Sequence, residues 1–211
     1  MAGPPADCDR CPRLVAFRAE NRRAYPDWHN APVPSFGGTD ARLLVVGLAP
    51  GLKGANRTGR PFTGDYAGDL LYATLKKFGF ARGTYRADPA DGFALVDCRV
   101  TNAVRCLPPE NKPVGAEIAN CGPFLADEIA TMPLLRAVLA LGSIAHGAAL
   151  AALGHRKSAF KFAHGAVHEV GHGLALADSY HCSRYNTNTG RLTTEMFEDV
   201  VEKLRALTGR A

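Results

Sequence analysis

The chain has 211 residues, 46% of them apolar and 21% charged, enough for one compact domain with a core of its own. No apolar run approaches the ~20 residues of a membrane span, and Met1 to Arg13 lacks the apolar stretch of a secretion signal. A cytoplasmic protein that crosses no membrane is expected, and its formal charge of +5 leans towards a polyanionic partner without naming one.

In chain order, Pro12 to Ala24 reads as a short amphipathic helix, and the proline- and glycine-rich residues 26–40 as an irregular connection. Leu43 to Leu48 is a continuous apolar run, as expected of a parallel strand buried on both faces. The loop that follows, "GLAPGLKGANRTGRPFTGD", ends in Asp65, and a helical pattern starts at Tyr66 and runs to Phe78. A second strand is expected over Phe93 to Val96, with a short extended piece over Thr101 to Val104. A helix follows from Gly115 to Ala130, then a third strand from Ala137 to Leu141. Ser143 is expected to cap a helix from Ile144 to Leu153. Residues 154–168 form a connection with an extended part, and Leu174 to Ala177 a fourth strand. The closing helix spans Thr193 to Leu207.

Strands alternating with helices imply an α/β fold of three layers, a central four-stranded parallel sheet flanked by helices. Ligands of such sheets bind outside the carboxyl ends of the strands. Three polar clusters fall there: the glycine loop, "TNAVRC" at 101–106, and "HCSRYNTNTGR" at 181–191. Asp65, Asn102 and His181 are therefore expected to converge. Phe62 offers a stacking face for a base, Asn102 a donor and an acceptor for a base edge, and His181 a group that stabilises negative charge. Each also has a plain structural reading, as loop anchor, turn residue or core histidine. Arg57, Arg60, Arg184 and Arg191 lie in the two basic loops and favour nucleic acid as the partner.

Six cysteines occur, at 8, 11, 98, 106, 121 and 182. Cys8 and Cys11 form C-x-x-C, and fourteen residues separate Cys106 from Cys121. Two such pairs suggest a four-thiolate site for zinc or an iron–sulfur cluster. Cys98 and Cys182 read as plain buried thiols. His164, His168 and His172 recur every four residues, as in a metallohydrolase, but glycines interrupt a helix there and H-E-x-x-H is absent.

With these motifs together, the chain resembles the uracil-DNA glycosylase superfamily, and most closely its iron–sulfur family 5, or class B. The resemblance covers nearly the whole of residues 1–211, read as a single glycosylase-like domain. It implies a 4Fe–4S cluster on Cys8, Cys11, Cys106 and Cys121. It places the backbone of Ala49, Pro50 and Gly51 along the base pocket, Phe62 against the extruded base, Asn102 facing that base, and His181 at the head of the second motif. Residues 184–188, including Arg184, Tyr185 and Asn186, match the loop that enters the duplex, and Arg57 adds a basic contact. Most branches carry a polar residue near Leu48 or Ala49; those positions are apolar here, which leaves Asp65 as the catalytic carboxylate. The implied activity is monofunctional hydrolysis of uracil, with hypoxanthine and xanthine, from double-stranded and also single-stranded DNA. The implied enzyme is monomeric, cytoplasmic and nucleoid-associated. A non-catalytic nucleic-acid-binding module with a structural metal would share the cysteines and basic loops but give Asp65 no task.

Overall fold

The central strand β1, Leu43–Gly47, is buried at all five residues, and the alternation of its side chains explains the layering. Leu43 and Val45 face one apolar cluster, Leu44 and Val46 the other. The computed structural model describes residues 3–209. After β1 come the short α2, Ala55–Thr58, and α3, Tyr66–Lys77. A two-stranded ribbon of β2, Ala81–Arg82, and β3, Ala94–Leu95, precedes β4, Cys98–Asn102. Then follow α4, Gly115–Ala130; β5, Ala137–Leu141; α5, Ser143–Ala152; β6, Val167–Glu169; and β7, Ala175–Ser179. The helix α1, Pro12–Ala24, precedes them all, and α6, Arg184–Asn188, and α7, Thr194–Leu207, close the chain.

The sheet has the order β4-β1-β5-β7-β6. Its first four strands are parallel, and β6 runs antiparallel at the edge beside β7. The expected four-stranded parallel sheet is present, with one strand added from the connection over residues 154–168. Leu71 and Leu75 of α3 and Phe197 and Leu204 of α7 cover one face. Leu125 of α4 and Ala145 and Ala149 of α5 cover the other.

Two local expectations need correction. The second sheet strand is Cys98–Asn102, not Phe93–Val96, whose middle residues pair in the ribbon instead. The polar Arg99 and Thr101 fit in this strand because one acid satisfies both. Glu128 of α4 accepts from Arg99 Nε at 2.6 Å and from Thr101 Oγ1 at 3.1 Å, and it also pairs with Arg105. Ser143 is the first residue of α5, and Gly142 holds the cap position with φ 95, a left-handed turn that a side chain would oppose. The fourth parallel strand runs two residues further than expected, Ala175–Ser179 against Leu174–Ala177, while Thr193 accepts from Met196 N and caps α7.

Candidate active site

The carboxyl ends of β1, β4 and β7 meet at one place, and three expected residues come with them. Gly47, the last residue of β1, is in register with Asn102, the last of β4. A Cβ added to Gly47 would stand 2.4 Å from Asn102 Oδ1 and 2.5 Å from Phe62 Cζ, so the pocket floor admits no side chain there. Phe62 faces His181 with ring centroids 6.0 Å apart and planes at 28°. Direct stacking, as between Tyr25 and Trp28 at 4.0 Å, is therefore not what holds them. His181 follows β7, and its backbone carbonyl accepts from Asn186 Nδ2 at 2.8 Å.

Asp65 stands at the start of α3, against the glycine loop that leaves β1. It is the N-cap, and its Oδ1 accepts from Gly68 N at 3.2 Å. Its Oδ2 lies over the glycine loop, 2.5 Å from a Cβ added to Gly54 and 3.4 Å from one added to Gly51. Burial raises its carboxyl above the ordinary carboxylate range, and the Gly68 amide opposes part of that rise. Burial also lowers the His181 imidazole to about 4, so the ring is neutral at physiological pH. Asn102 is 3% exposed, and its Oδ1 is the buried side-chain polar atom without a partner among the described residues. Ala49 and Gly51 are half-buried at the mouth of the same loop, and Pro50 is buried beneath it.

Phe62 carries φ 52, an uncommon conformation for an aromatic residue, and its surroundings account for it. Tyr85 Oη donates to Phe62 O at 3.0 Å and accepts from Gly64 N at 3.4 Å. Tyr72 Oη donates to Pro61 O. Arg60 forms a two-pronged pair with Asp91, at 2.8 and 2.9 Å, and bonds Thr63 Oγ1 at 2.7 Å. The Arg60 guanidinium beside Asp91 holds that carboxyl well below the usual range. This corrects the sequence reading of Arg60 as a cation free for a polyanion: it is 5% exposed and braces the loop. On the other side, Asn56 Nδ2 donates to Asn30 Oδ1 at 2.9 Å, which ties the loop to the residues after α1. The bracing by Tyr85 and Asp91 has no motif. The signal that could have found it is an aromatic and an acid in an otherwise polar connection.

Around this pocket, Arg57 and Arg184 are exposed, and Arg184 lies over the Tyr66 ring at 5.3 Å. Tyr185 is 72% exposed, unusual for an aromatic side chain with no partner surface of its own. Asn186 points inward to the His181 carbonyl, and Arg191 lies over Tyr180 at 4.6 Å.

A second cavity lies at the other side of β4. Cys8, Cys11, Cys106 and Cys121 all line it, together with Arg18 and Phe124. They arrive from the segment before α1, the loop after β4 and the middle of α4. Arg18 Nη1 approaches Cys106 Sγ at 3.7 Å, and Asn120 Nδ2 approaches Cys11 Sγ at 3.7 Å. Burial pushes the Cys106 thiol up to about 11 and raises Cys121 as well. Cys98 and Cys182 are buried elsewhere, as expected. The histidines at 164, 168 and 172 do not form one site. His164 Nδ1 accepts from Tyr180 N, His168 lies on β6, and His172 sits in the turn after it with φ 56.

Comparison with known proteins agrees with this geometry. The model of the uracil DNA glycosylase superfamily matches residues 34–205. A type-5 uracil-DNA glycosylase of Thermus thermophilus is 47% identical over 208 residues, 96% of this chain and 94% of that protein. A type-5 uracil-DNA glycosylase of Mycobacterium bovis is 43% identical over 210 residues, 96% of this chain and 78% of that protein. One of Pyrobaculum aerophilum is 42% identical over 208 residues, 96% and 90% of the two chains. The superfamily model that covers residues 34–205, and a likeness to type-5 enzymes that runs nearly the full chain, place this protein in the uracil-DNA glycosylase superfamily, beside its type-5 members.

Proposed function

We propose that this DNA glycosylase extrudes a deaminated base from DNA, uracil first, and hydrolyses its N-glycosidic bond to leave an abasic site. The observation that carries the reading is the unpartnered Oδ1 of Asn102. A buried acceptor left without a donor costs about 1–3 kcal/mol. The N3–H of uracil is a donor of the kind that would satisfy it, while the Phe62 face stacks on the ring. Extrusion itself costs a few kcal/mol, least for a base in a mismatch.

Bond cleavage then develops positive charge on the sugar and negative charge on the base. Asp65 Oδ1 is held by the Gly68 amide, which leaves Oδ2 for the sugar and for the water that attacks C1′. The neutral His181 ring donates a hydrogen bond to the departing base and needs no reorganisation to do so. No lysine nucleophile is required, so the product is an abasic site without strand cleavage. The apolar Leu48 and Ala49 impose few polar demands on the base, which extends the reading to hypoxanthine and xanthine. Arg57, Arg184 and Tyr185 supply the exposed contacts to DNA, Asn186 positions the loop that carries them, and the active unit is a monomer.

The four cavity-lining cysteines fit a 4Fe–4S cluster. Four thiolates on one zinc ion would draw their sulfurs to about 3.8 Å, from Zn–S bonds of about 2.3 Å in a tetrahedron. A cluster cage is wider, and four thiols brought to one cavity from three segments of the chain suit it. When bound, the cluster ties the segment before α1 to β4 and α4 and takes no part in hydrolysis.

The test is an assay on duplex oligonucleotides carrying uracil opposite guanine, beside hypoxanthine and undamaged controls, with alkali added to reveal abasic sites. Asp65→Asn is expected to lose on the order of a hundredfold or more in rate. Asparagine caps helices as well as aspartate, so the fold stays intact. Undiminished cleavage by the variant would move the chemistry to His181, Asn102 and the backbone. Strand breaks before alkali would refute the monofunctional reading.

A further inference from the structure

Three side chains outside this site have the chemistry of metal ligands. His146 of α5, His168 of β6 and Asp178 of β7 place one donor atom each within 4.8 Å of one another. His146 Nδ1 lies 2.7 Å from Asp178 Oδ1, and His168 Nε2 lies 3.1 Å from Asp178 Oδ2. Asp178 is fully buried and His146 is 3% exposed. The mechanism uses none of them.

We propose that these residues bind one divalent transition ion, zinc by ligand type, through His146 Nδ1, His168 Nε2 and the Asp178 carboxylate. Two of the three ligands, His146 and Asp178, are held from their far sides. His146 Nε2 faces the Phe160 carbonyl at 3.1 Å, and that bond requires a proton on Nε2. The Nδ1 lone pair then points at the cluster of donors. Ligating histidines are held in just this way, by a carbonyl behind the ring. Ala163 N donates to Asp178 Oδ2 at 3.4 Å and fixes the carboxylate from outside. Hydrogen bonding alone places a second proton between His146 Nδ1 and Asp178 Oδ1, 2.7 Å apart, whichever of the two carries it. An ion replaces the second proton and leaves a neutral ring. Two imidazoles and a carboxylate suit zinc and its neighbours rather than calcium or magnesium. Access runs through the hollow beside His146 lined by Ser143, Lys157 and Phe162. The two lysines there, Lys157 and Lys161, slow entry of a cation without occupying the ligand positions.

Such an ion would staple the edge strand β6 and the segment 160–166 to β7, three residues before His181. It is separate from the cysteine cavity, and the four thiols stay unchanged in the test. Cluster-loaded wild type and His168→Gln are dialysed against zinc, and bound metal is counted per chain. Glutamine keeps a donor for Asp178 but is a poor ligand for the ion. The expected result is one more zinc per wild-type chain, with affinity on the order of a hundredfold lower in the variant, at least the cost of losing an outer partner. Equal uptake by the two proteins would overturn the proposal and leave a hydrogen-bonded trio. Should the variant fail to fold, histidine-labelled wild type decides by NMR: zinc must shift the ring signals of His146 and His168 and leave that of His29 in place. Unmoved rings overturn the proposal as firmly. Neither readout depends on glycosylase activity.

Discussion

Two kinds of buried polar group surround the glycine loop, and the contrast separates scaffold from chemistry. Arg60 and Asp91 are both buried, and every prong of their contact is matched. Asn102, at the neighbouring strand end, is as deeply buried and leaves an acceptor open. A fold can keep charges inside only where they are satisfied. A polar atom kept inside without a partner is a standing cost, which a bound ligand is suited to remove. The comparison teaches which residues to read as braces and which as contacts.

The comparison breaks most sharply at Asp91. Asp91→Asn leaves the Arg60 charge buried and unpaired, and a loss of about 3–5 kcal/mol in unfolding free energy is expected in denaturant titration. Retained stability would mean that Arg60 finds water. Asn102→Leu should act the other way. Removing the open acceptor is expected to gain about 1–3 kcal/mol, while uracil excision collapses. A variant that is both less stable and fully active would end the assignment of Asn102 to the base.

The smallest effect concerns pH. His181 falls from its ordinary 6.5 to about 4, so between those values the unfolded chain binds a proton that the folded chain does not. Its contribution to stability is present above 6.5 and lost as pH falls towards 4. His181→Gln should flatten that part of the stability curve, measured by thermal unfolding at stepped pH. Asp65 has the opposite sign. Its raised carboxyl makes ionisation at neutral pH unfavourable to folding, so Asp65→Asn should lose activity and melt slightly higher.

Much of this was legible in the sequence where one physical signal dominates. The apolar runs at 43–48 and 137–141 read directly as buried strands, and the strand-end rule pointed to the edge where Phe62 lies beside Asn102 and His181. Cysteine spacing picked out the four thiols that line one cavity. What escaped depends on tertiary partners. Cys98–Asn102 looks too polar for the sheet until Glu128 arrives from α4. Arg60 looks like a phosphate contact until Asp91 is found against it. His146 stands alone in an alanine-rich helix, with no spacing that ties it to Asp178.

The cysteine cavity also bears on how the chain folds. Arg10 and Asn120 exchange hydrogen bonds across 110 residues of sequence, and Arg13 reaches Glu117 across 104. Closing so long a loop costs chain entropy that only a formed sheet can offset. The segment before α1 and the first turn of α1 are therefore held by long-range contacts to α4 and not by local structure. Two of the four thiols belong to that segment, so whatever holds the set together also closes the chain between its first residues and α4.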